Sequence, residues 1–332
     1  MSFVVSGMGA TVTLETNVTL SVTNSGRIHV FVNDYEIQNI LLNAQQQSYL
    51  VASSLPFASN NVTIAYTLEP LLSGANRDMG QTVSFVGISV GNGGVVAQPN
   101  PPLSRRIDIV GDSISAGSGY DKLESIGDPL SLGTACHPWA PTIGNSQNYN
   151  WETYAARSLR ANATTIAWSG KGLIYNSGCH AGPTLPTLYN RTFATQSAGN
   201  EPWDFTRAFR PDAVLVYLGT NDFSCNRTEP AAFTDALVSF MVNISALYAA
   251  SPGPAAKTTF FLAVGPMSPV LPYEPIVAAI DAALALGVHA SLLDLRGNAS
   301  MPLDGCGGHP GPFGHWTMAR LAVAQIKAVM GW

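Results

Sequence analysis

The sequence predicts an α/β protein with two domains. A three-layer α/β/α domain on a mostly parallel five-stranded sheet is preceded by a small all-β sandwich, or jelly roll. Residues up to about 100 contain short β-branched runs separated by turn residues. From Arg105 onward, apolar strand-like runs alternate with longer helix-like segments. Between the two regions, Gln98-Pro99-Asn100-Pro101-Pro102 fits neither pattern, so the expected domains are residues 1–102 and 103–332.

The first domain is expected to be all-β because β-branched residues cluster in short runs. The clearest runs are 12–14, 18–22, 28–32 and 62–66. Turn-forming residues such as Asn24-Ser25-Gly26 and Asn33-Asp34 separate them. Short strands at such close spacing are typical of sandwiches and jelly rolls.

The second domain is expected to be built from alternating strands and helices. Strand-like runs occur at 107–110, 164–168, 213–218, 259–264 and 290–295. Apolar positions near helical spacing occur at 151–159, 231–248, 276–286 and 316–330. This alternation predicts a mostly parallel sheet covered on both faces, in which ligands bind beyond the carboxyl ends of the strands.

Four short motifs follow the ends of apolar runs or lie in a loop beyond one. They are Gly111-Asp112-Ser113, Ser169-Gly170, Gly219-Thr220-Asn221-Asp222 and His309-Pro310. They supply a hydroxyl nucleophile in Ser113, a backbone N–H donor in Gly170, an amide donor in Asn221 and an imidazole base in His309. These groups can break an ester through a tetrahedral oxyanion, held by the N–H groups of Ser113 and Gly170 and by the Asn221 amide.

Each motif also has a plainer interpretation. Ser113 is a common helix N-cap, Gly170 an ordinary loop glycine and Asn221 a good turn former. The order of the four motifs favours the catalytic interpretation. Three tryptophans, Trp139, Trp168 and Trp316, are candidates for an aromatic platform against a sugar ring, although burial in a core explains such residues equally well.

The amino-acid composition narrows the classes of molecule that the protein is expected to bind. Charged residues make up 11% of the chain and the net charge is -5, which argues against nucleic acid as a partner. No run approaches the roughly 20 apolar residues of a spanning helix, so no membrane partner is expected. A monomer is expected.

Seven Asn-x-Ser/Thr sequons indicate a glycosylated, secreted protein, although two or three of them are expected by chance. They are at Asn17, Asn61, Asn162, Asn190, Asn226, Asn243 and Asn298. The opening residues do not resemble a signal peptide, so a mature form without its leader is expected.

The four cysteines fit two disulfides in an oxidising compartment. Three pairings are possible, and Cys136–Cys179 with Cys225–Cys306 is the expected one, since Cys225 and Cys306 are both predicted in loops at the same mouth. A zinc site is the competing interpretation, but no Cys-x-x-Cys or His-x-x-x-His pair supports it. We therefore expect no metal.

The four motifs, in this order, resemble those of the SGNH (GDSL-type) hydrolases, and more narrowly those of carbohydrate esterase family 2. The similarity extends to Gly111–Gly117, Ser169–Gly172, Leu185–Tyr189, Trp203-Asp204-Phe205 and Gly305-Cys306 with Gly314-His315. An N-terminal β-sandwich before the hydrolase domain is also the family arrangement. The resemblance implies removal of O-acetyl groups from plant polysaccharides such as xylan or glucomannan, without a cofactor.

One departure from the family pattern concerns the partner of His309. SGNH enzymes usually place Asp three residues before the histidine, and family 2 members often place it two before. Here those positions are Cys306 and Gly307, and the nearest acid is Asp304. Either Asp304 completes a triad or a backbone carbonyl orients the imidazole in a Ser–His dyad, and the dyad is slightly favoured.

Two other classes of function share these motifs. A lipid or aryl short-chain esterase would need the same four groups. A catalytically idle carbohydrate-binding protein is less expected because all four functional positions are intact.

Overall fold

The structure is a computed structural model. It describes residues 2–7, 9–16, 27–42, 46–53, 55, 59–66, 72–73, 77–78, 83–91, 93–97, 103–119, 148–192, 202–251, 257–268, 270–297, 301, 303 and 305–332. The chain divides into two compact units, Met1–Pro102 and Leu103–Trp332.

The first unit contains ten β-strands in the part of the chain that the structure describes. They are β1 (Ser2–Ser6), β2 (Ala10–Thr16), β3 (Arg27–Val32), β4 (Tyr35–Leu41), β5 (Ser48–Ala52), β6 (Asn60–Tyr66), β7 (Leu72–Ser73), β8 (Arg77–Asp78), β9 (Val83–Val90) and β10 (Val95–Ala97). The predicted runs 12–14, 28–32 and 62–66 lie in β2, β3 and β6, whereas run 18–22 falls outside the described residues.

The strands of this unit form antiparallel sheets. One has the order β10-β1-β6-β3-β4, another the order β5-β2-β9, and β7 pairs with β8. Alternate residues of these strands point inward, so Val12, Val30, Tyr49, Val51 and Val62 share one buried core. The expected small all-β domain is confirmed.

The second unit alternates strands and helices. Its elements are β11 (Arg105–Gly111), α1 (Trp151–Ser158), β12 (Ala161–Ala167), α2 (Leu185–Tyr189), β13 (Ala213–Tyr217), α3 (Thr220–Ser224), α4 (Pro230–Leu247), β14 (Thr259–Val264), α5 (Tyr273–Ala285), β15 (His289–Asp294) and α6 (Pro312–Met330). Short 3₁₀ turns occur at Ser177–Cys179 and Cys306–Gly308.

The sheet of this unit is parallel throughout, in the order β12-β11-β13-β14-β15. Helices α1 and α6 cover one face, where Trp151 and Met318 pack on Ile109 and Phe261. Helices α4 and α5 pack together on the other face. This three-layer arrangement confirms the predicted α/β fold, and it places β11, which precedes Ser113, between two neighbouring strands.

The side chain of Asp108, in β11, is buried and contacts residues at the ends of α2 and α4. The Oδ2 atom of Asp108 accepts hydrogen bonds from the hydroxyls of Tyr189 (2.9 Å) and Tyr248 (2.8 Å). Burial raises the pKa of Asp108 to about 6, although the two hydroxyls oppose the shift. Because the side chain of Asp108 alternates with Ile107 and Ile109, it points to the face opposite α1 and α6.

In the described part of the chain, helix α4 is the one segment whose length and mean hydropathy of 1.4 would also suit a membrane span. Its apolar inner face is buried inside the protein, at Phe233, Leu237, Phe240, Met241 and Ile244. That pattern is what a helix packed on a sheet requires.

Candidate active site

The central contact of the site joins a serine and a histidine. The Nε2 atom of His309 lies 2.8 Å from the Oγ atom of Ser113. Ser113 is 8% exposed and His309 is partly exposed, so the pair is largely buried but can be reached from solvent. This distance suits transfer of the serine proton to the imidazole.

The position of Ser113 follows from the end of β11. Gly111 closes the strand, and a Cβ atom there would collide with the Ser115 side chain, so the close packing requires glycine. The Asp112 carboxylate then accepts the N–H of Ile114 at 3.0 Å, which tightens the turn. Burial raises the pKa of Asp112 to about 7, and the nearby charge of Asp222 adds to the effect.

A layer of buried polar groups supports this turn from beneath. The Ser115 hydroxyl donates to Oε1 of Glu152, and the Asn150 amide donates to the Ser115 carbonyl. Glu152 is fully buried, and burial raises its pKa to about 8. Its other oxygen, Oε2, has no hydrogen-bond partner.

His315 belongs to the same layer and differs from His309 in its environment. It is fully buried, and its Nδ1 atom accepts the N–H of Trp151 at 3.2 Å. Burial lowers the pKa of His315 to about 3, and the neighbouring His309 contributes to the shift. His315 is therefore held neutral, and its bond to Trp151 links α6 to the start of α1.

The remaining motifs are brought to the same edge of the sheet. The Ser118 and Ser169 hydroxyls are 2.8 Å apart, which links the Ser113 turn to the loop of Gly170. The Nδ2 atom of Asn221 donates to the Lys171 carbonyl at 2.9 Å and to Oδ2 of Asp112 at 3.2 Å. All four motifs therefore converge, as expected for loops beyond the carboxyl ends of parallel strands.

The predicted disulfide pairing is wrong. Cys179 is bonded to Cys225, so neither Cys136–Cys179 nor Cys225–Cys306 can form. Cys179 lies in the loop after β12 and Cys225 directly follows α3, which begins just after β13. Both loops lie at the carboxyl edge of the sheet, and Cys179 bonds to Cys225 because the two loops are adjacent there. Cys136 and the side chain of Cys306 lie outside the described residues.

The predicted partner of the imidazole, Asp304, also lies outside the described residues. Gly307 is close to the imidazole, since a Cβ atom built on it would stand 3.4 Å from Nδ1 of His309. The backbone at Gly307 has a φ of +65°, so its conformation favours glycine two residues before the histidine.

The three candidate platform tryptophans have different environments. Trp168 is buried, with the Lys171 ammonium 5.2 Å from its ring centre. Trp316 is 45% exposed on α6, where its ring stacks on Phe313 at 5.9 Å and lies 4.8 Å from the Arg320 guanidinium. Trp139 lies outside the described residues.

The predicted glycosylation sites also differ in accessibility. Asn226 and Asn243 are exposed, the latter on the outer face of α4. The remaining described ones, Asn61, Asn162 and Asn190, are partly buried, and Asn17 and Asn298 fall outside the described residues. Among the described residues, no group of three or more His, Cys, Asp or Glu side chains is placed to hold a metal ion.

Several supporting residues were not identified from the sequence. Nothing local in the sequence marks Glu152, Ser118 or Ser169 as a contact. Asp222 was given no role of its own, and it accepts three backbone N–H groups from the Gly170 loop. A carboxylate directly after the candidate amide donor was the one available signal.

A family model described as GDSL-like lipase/acylhydrolase matches residues 107–297, which is more than half of the chain. The chain belongs to this family. Its motifs, its parallel sheet and the Ser113–His309 contact all lie in or next to the matched region.

Within that family, the chain is similar to carbohydrate esterases of family 2. It is 27% identical over 253 residues to Cellulase/esterase CelE of Acetivibrio thermocellus, covering 76% of this chain and 27% of CelE. It is 25% identical over 244 residues to the acetylxylan esterase / glucomannan deacetylase of Cellvibrio japonicus, covering 70% of this chain and 60% of that protein.

A solved structure extends the similarity to both units. The carbohydrate esterase family 2 enzyme plus carbohydrate binding domain from Corynascus thermopiles (Myceliophthora fergusii) is 26% identical, with a TM-score of 0.76. The match covers 100% of this chain and 93% of that one. The chain spans about a quarter of the length of CelE and 60% of the Cellvibrio protein.

Proposed function

We propose that this protein is a secreted carbohydrate O-acetylesterase that removes acetyl groups from plant cell-wall polysaccharide of the xylan or glucomannan type. The observation that carries the proposal is the 2.8 Å contact between Nε2 of His309 and Oγ of Ser113. Membership of a family of lipases and acylhydrolases and similarity to an acetylxylan esterase support it.

In the first half of the reaction, His309 takes the proton from Ser113 as Oγ attacks the acetyl carbonyl. The resulting oxyanion accepts hydrogen bonds from the N–H groups of Ser113 and Gly170 and from the Asn221 amide. Both hydrogens of the Asn221 amide have partners, and the bond to Asp112 is the longer at 3.2 Å. The oxyanion replaces Asp112 as the acceptor of that hydrogen.

In the second half, the sugar hydroxyl leaves with the proton held by His309. A water molecule, deprotonated by the same imidazole, then attacks the acetyl group on Ser113 and releases acetate. Each proton taken by His309 is returned, so the catalyst regains its starting state without a cofactor.

The imidazole needs an acceptor at Nδ1 to hold the correct tautomer. We propose a Ser–His dyad in which a backbone carbonyl supplies that acceptor, with Asp304 as the alternative that would complete a triad. A carbonyl fixes the tautomer of His309 but does not neutralise the imidazolium, so it is a weaker partner than a carboxylate.

The proposal also covers the domain organisation, the oligomeric state and the compartment of the protein. We propose that residues 1–102 form a β-sandwich domain and residues 103–332 the catalytic domain of a monomeric, secreted enzyme. The Cys179–Cys225 disulfide and the exposed sequons at Asn226 and Asn243 support an oxidising, glycosylating compartment.

The test is an acetate-release panel on acetylxylan, acetylglucomannan, acetylated pectin and monosaccharide acetates, with Ser113→Ala as the blank. Release from xylan or glucomannan above the blank is the expected result. Activity confined to pectin, or no release above the blank from any acetylated glycan, would contradict the proposal. If a fluorophosphonate also failed to label Ser113, a catalytically idle binding protein would replace it.

A lipid or aryl short-chain esterase is the second candidate, because the matching family model includes lipases. p-Nitrophenyl esters of increasing acyl length separate the two. A carbohydrate acetylesterase should lose activity beyond acetate, whereas a lipid esterase should gain it toward longer chains.

A further inference from the structure

The two loops that carry the proposed oxyanion donors are fastened to each other by a buried carboxylate. Asp222 follows Asn221 directly, and its side chain reaches the loop that begins at Gly170. Its oxygens accept the N–H groups of Leu173 at 3.0 Å, Ile174 at 2.7 Å and Tyr175 at 3.0 Å. Three consecutive backbone donors on one carboxylate form a specific binding site for that side chain.

Local sequence makes room for this contact. A Cβ atom on Gly172 would stand 2.6 Å from Oδ2 of Asp222, so a larger residue would push the carboxylate away. Asp222 is itself fully buried. Burial raises the pKa of Asp222, and the three N–H groups oppose this shift because they stabilise the ionised carboxylate.

A covalent bond makes the same connection a few residues farther along. Cys179 ends the 3₁₀ turn of the Gly170 loop, and Cys225 directly follows α3. The residues directly before the two cysteines are also in contact, because the Gly178 N–H donates to Oγ of Ser224 at 3.2 Å. The disulfide and the carboxylate therefore hold the same pair of loops at two separate places.

The proposed donors lie next to these connections. The Asn221 amide donates to the Lys171 carbonyl at 2.9 Å, one residue after Gly170. The Gly170 carbonyl accepts the Ser177 N–H at 2.8 Å, which folds the loop back toward Cys179. A shift of either loop would change the distance between the Gly170 N–H and the Asn221 amide.

We propose that Asp222, together with the Cys179–Cys225 disulfide, is a positioning device that sets the spacing of the two oxyanion donors. The proposal rests on the function proposed above. Neither Asp222 nor the disulfide touches the substrate. Both act by keeping Gly170 and Asn221 where a single oxygen can accept from both, and a misplacement of about 1 Å can cost about 10²-fold in rate.

The test compares Asp222→Asn and Asp222→Ala with the wild-type protein, using steady-state kinetics on acetylxylan and on p-nitrophenyl acetate. We expect kcat to fall about 10-fold in Asp222→Asn, which keeps one acceptor oxygen, and about 10²-fold in Asp222→Ala. KM should stay within about twofold, because oxyanion donors act mainly in the transition state. A kcat within twofold of wild type in a folded Asp222→Ala protein would overturn the proposal.

The matched control is Asp108→Asn, which also replaces the carboxylate of a buried, hydrogen-bonded aspartate in the same sheet domain. Its carboxylate faces Tyr189 and Tyr248 and not the catalytic edge. We expect Asp108→Asn to change the melting temperature but to leave kcat near the wild-type value. An equal fall of kcat in both variants at 25 °C would reduce Asp222 to a stabilising residue.

A second variant keeps the proposal testable if the Asp222 variants do not fold. The double change Cys179→Ser and Cys225→Ser releases the loops without altering Asp222. We expect kcat to fall several-fold with KM unchanged. A kcat of the double variant equal to that of the wild-type protein would contradict the proposed positioning role. The substrate panel separates failure of this proposal from failure of the proposed function. If the proposed function is wrong, the wild-type protein itself will be inactive on that panel.

Discussion

The Oγ atom of Ser113 and the Nε2 atom of His309 lie 2.8 Å apart, although 196 residues separate them in the chain. Ser113 is fixed by the end of β11, and His309 by the Gly-rich loop before α6. The proposed nucleophile and its proposed base are therefore supplied by the first and last parts of the α/β unit. Their contact therefore depends on tertiary packing between segments that are far apart in the chain.

The first prediction concerns this pair. Ser113→Ala and His309→Ala should each lower kcat by at least about 10³-fold, because the nucleophile and the base act as one unit. The measurement is acetate release from acetylxylan under steady-state conditions. His289→Ala is the control, since His289 is exposed at the start of β15, at the opposite edge of the sheet. A His309→Ala enzyme with more than a tenth of wild-type kcat would contradict the assignment.

The second prediction concerns the amide donor. Asn221→Ala should lower kcat by about 10²–10³-fold with little change in KM, because the lost hydrogen bond forms mainly in the transition state. Asn243→Ala, on the exposed face of α4, should leave both constants unchanged. A larger effect on KM than on kcat would show that Asn221 binds the ground state of the substrate.

The third prediction separates the dyad from the triad. Asp304→Asn should keep at least about a tenth of wild-type turnover, because a backbone carbonyl can still hold the tautomer of His309. Turnover measured on p-nitrophenyl acetate is sufficient. A fall to the level of Ser113→Ala would make Asp304 a member of a triad.

The fourth prediction concerns Glu152 and the pH dependence of stability. Burial raises the pKa of this carboxyl from 4.5 to about 8 in the folded protein. The folded protein therefore keeps a proton that the unfolded chain has lost between these values. The contribution of the protonated Glu152 carboxyl to the free energy of unfolding is fully present below about pH 4.5. It is lost as the pH rises toward about 8.

Glu152→Gln should remove this contribution because glutamine does not titrate. The free energy of unfolding of the variant relative to wild type should increase between pH 5 and pH 8, by at most about 1.4 kcal/mol per pH unit. Urea unfolding at several pH values measures it. Glu274→Gln, at an exposed position on α5, serves as the control. A constant difference between Glu152→Gln and wild type would contradict the prediction.

The fifth prediction concerns the exposed ring on α6. Trp316→Ala should raise KM for acetylated polysaccharide about two- to tenfold, the loss expected when one aromatic contact is removed. Hydrolysis of p-nitrophenyl acetate should be unaffected, because that substrate is too small to reach beyond the catalytic pair. Trp203→Ala is a matched control, because Trp203 is also 45% exposed. Equal effects of the two changes on KM would contradict a specific role for Trp316.

The parallel sheet could be predicted because its signal is local. Five apolar runs correspond to β11–β15, and four helical patterns correspond to α1, α4, α5 and α6. The short helices α2 and α3 were missed, because five residues provide too little periodicity. In the first unit, β4 and β9 were also missed, because polar residues and a glycine interrupt their apolar positions.

The support of the site could not be predicted, because it depends on contacts between distant segments. Nothing near Glu152 indicates that Ser115, 37 residues earlier, will donate to it. The pairing of Cys179 with Cys225 depends on which loops meet after β12 and β13, and sequence spacing carries no such information. The motifs were visible because each is a contiguous string of residues.

The Cys179–Cys225 bond has a practical consequence for the choice of expression host. In the cytosol of a bacterium, glutathione and thioredoxin keep thiols reduced, so recombinant material made there would contain the unlinked form. Catalytic constants measured on such material would describe a protein without the Cys179–Cys225 bond. Export to a periplasm, or production in a secreting yeast, is the route that would give the native catalyst.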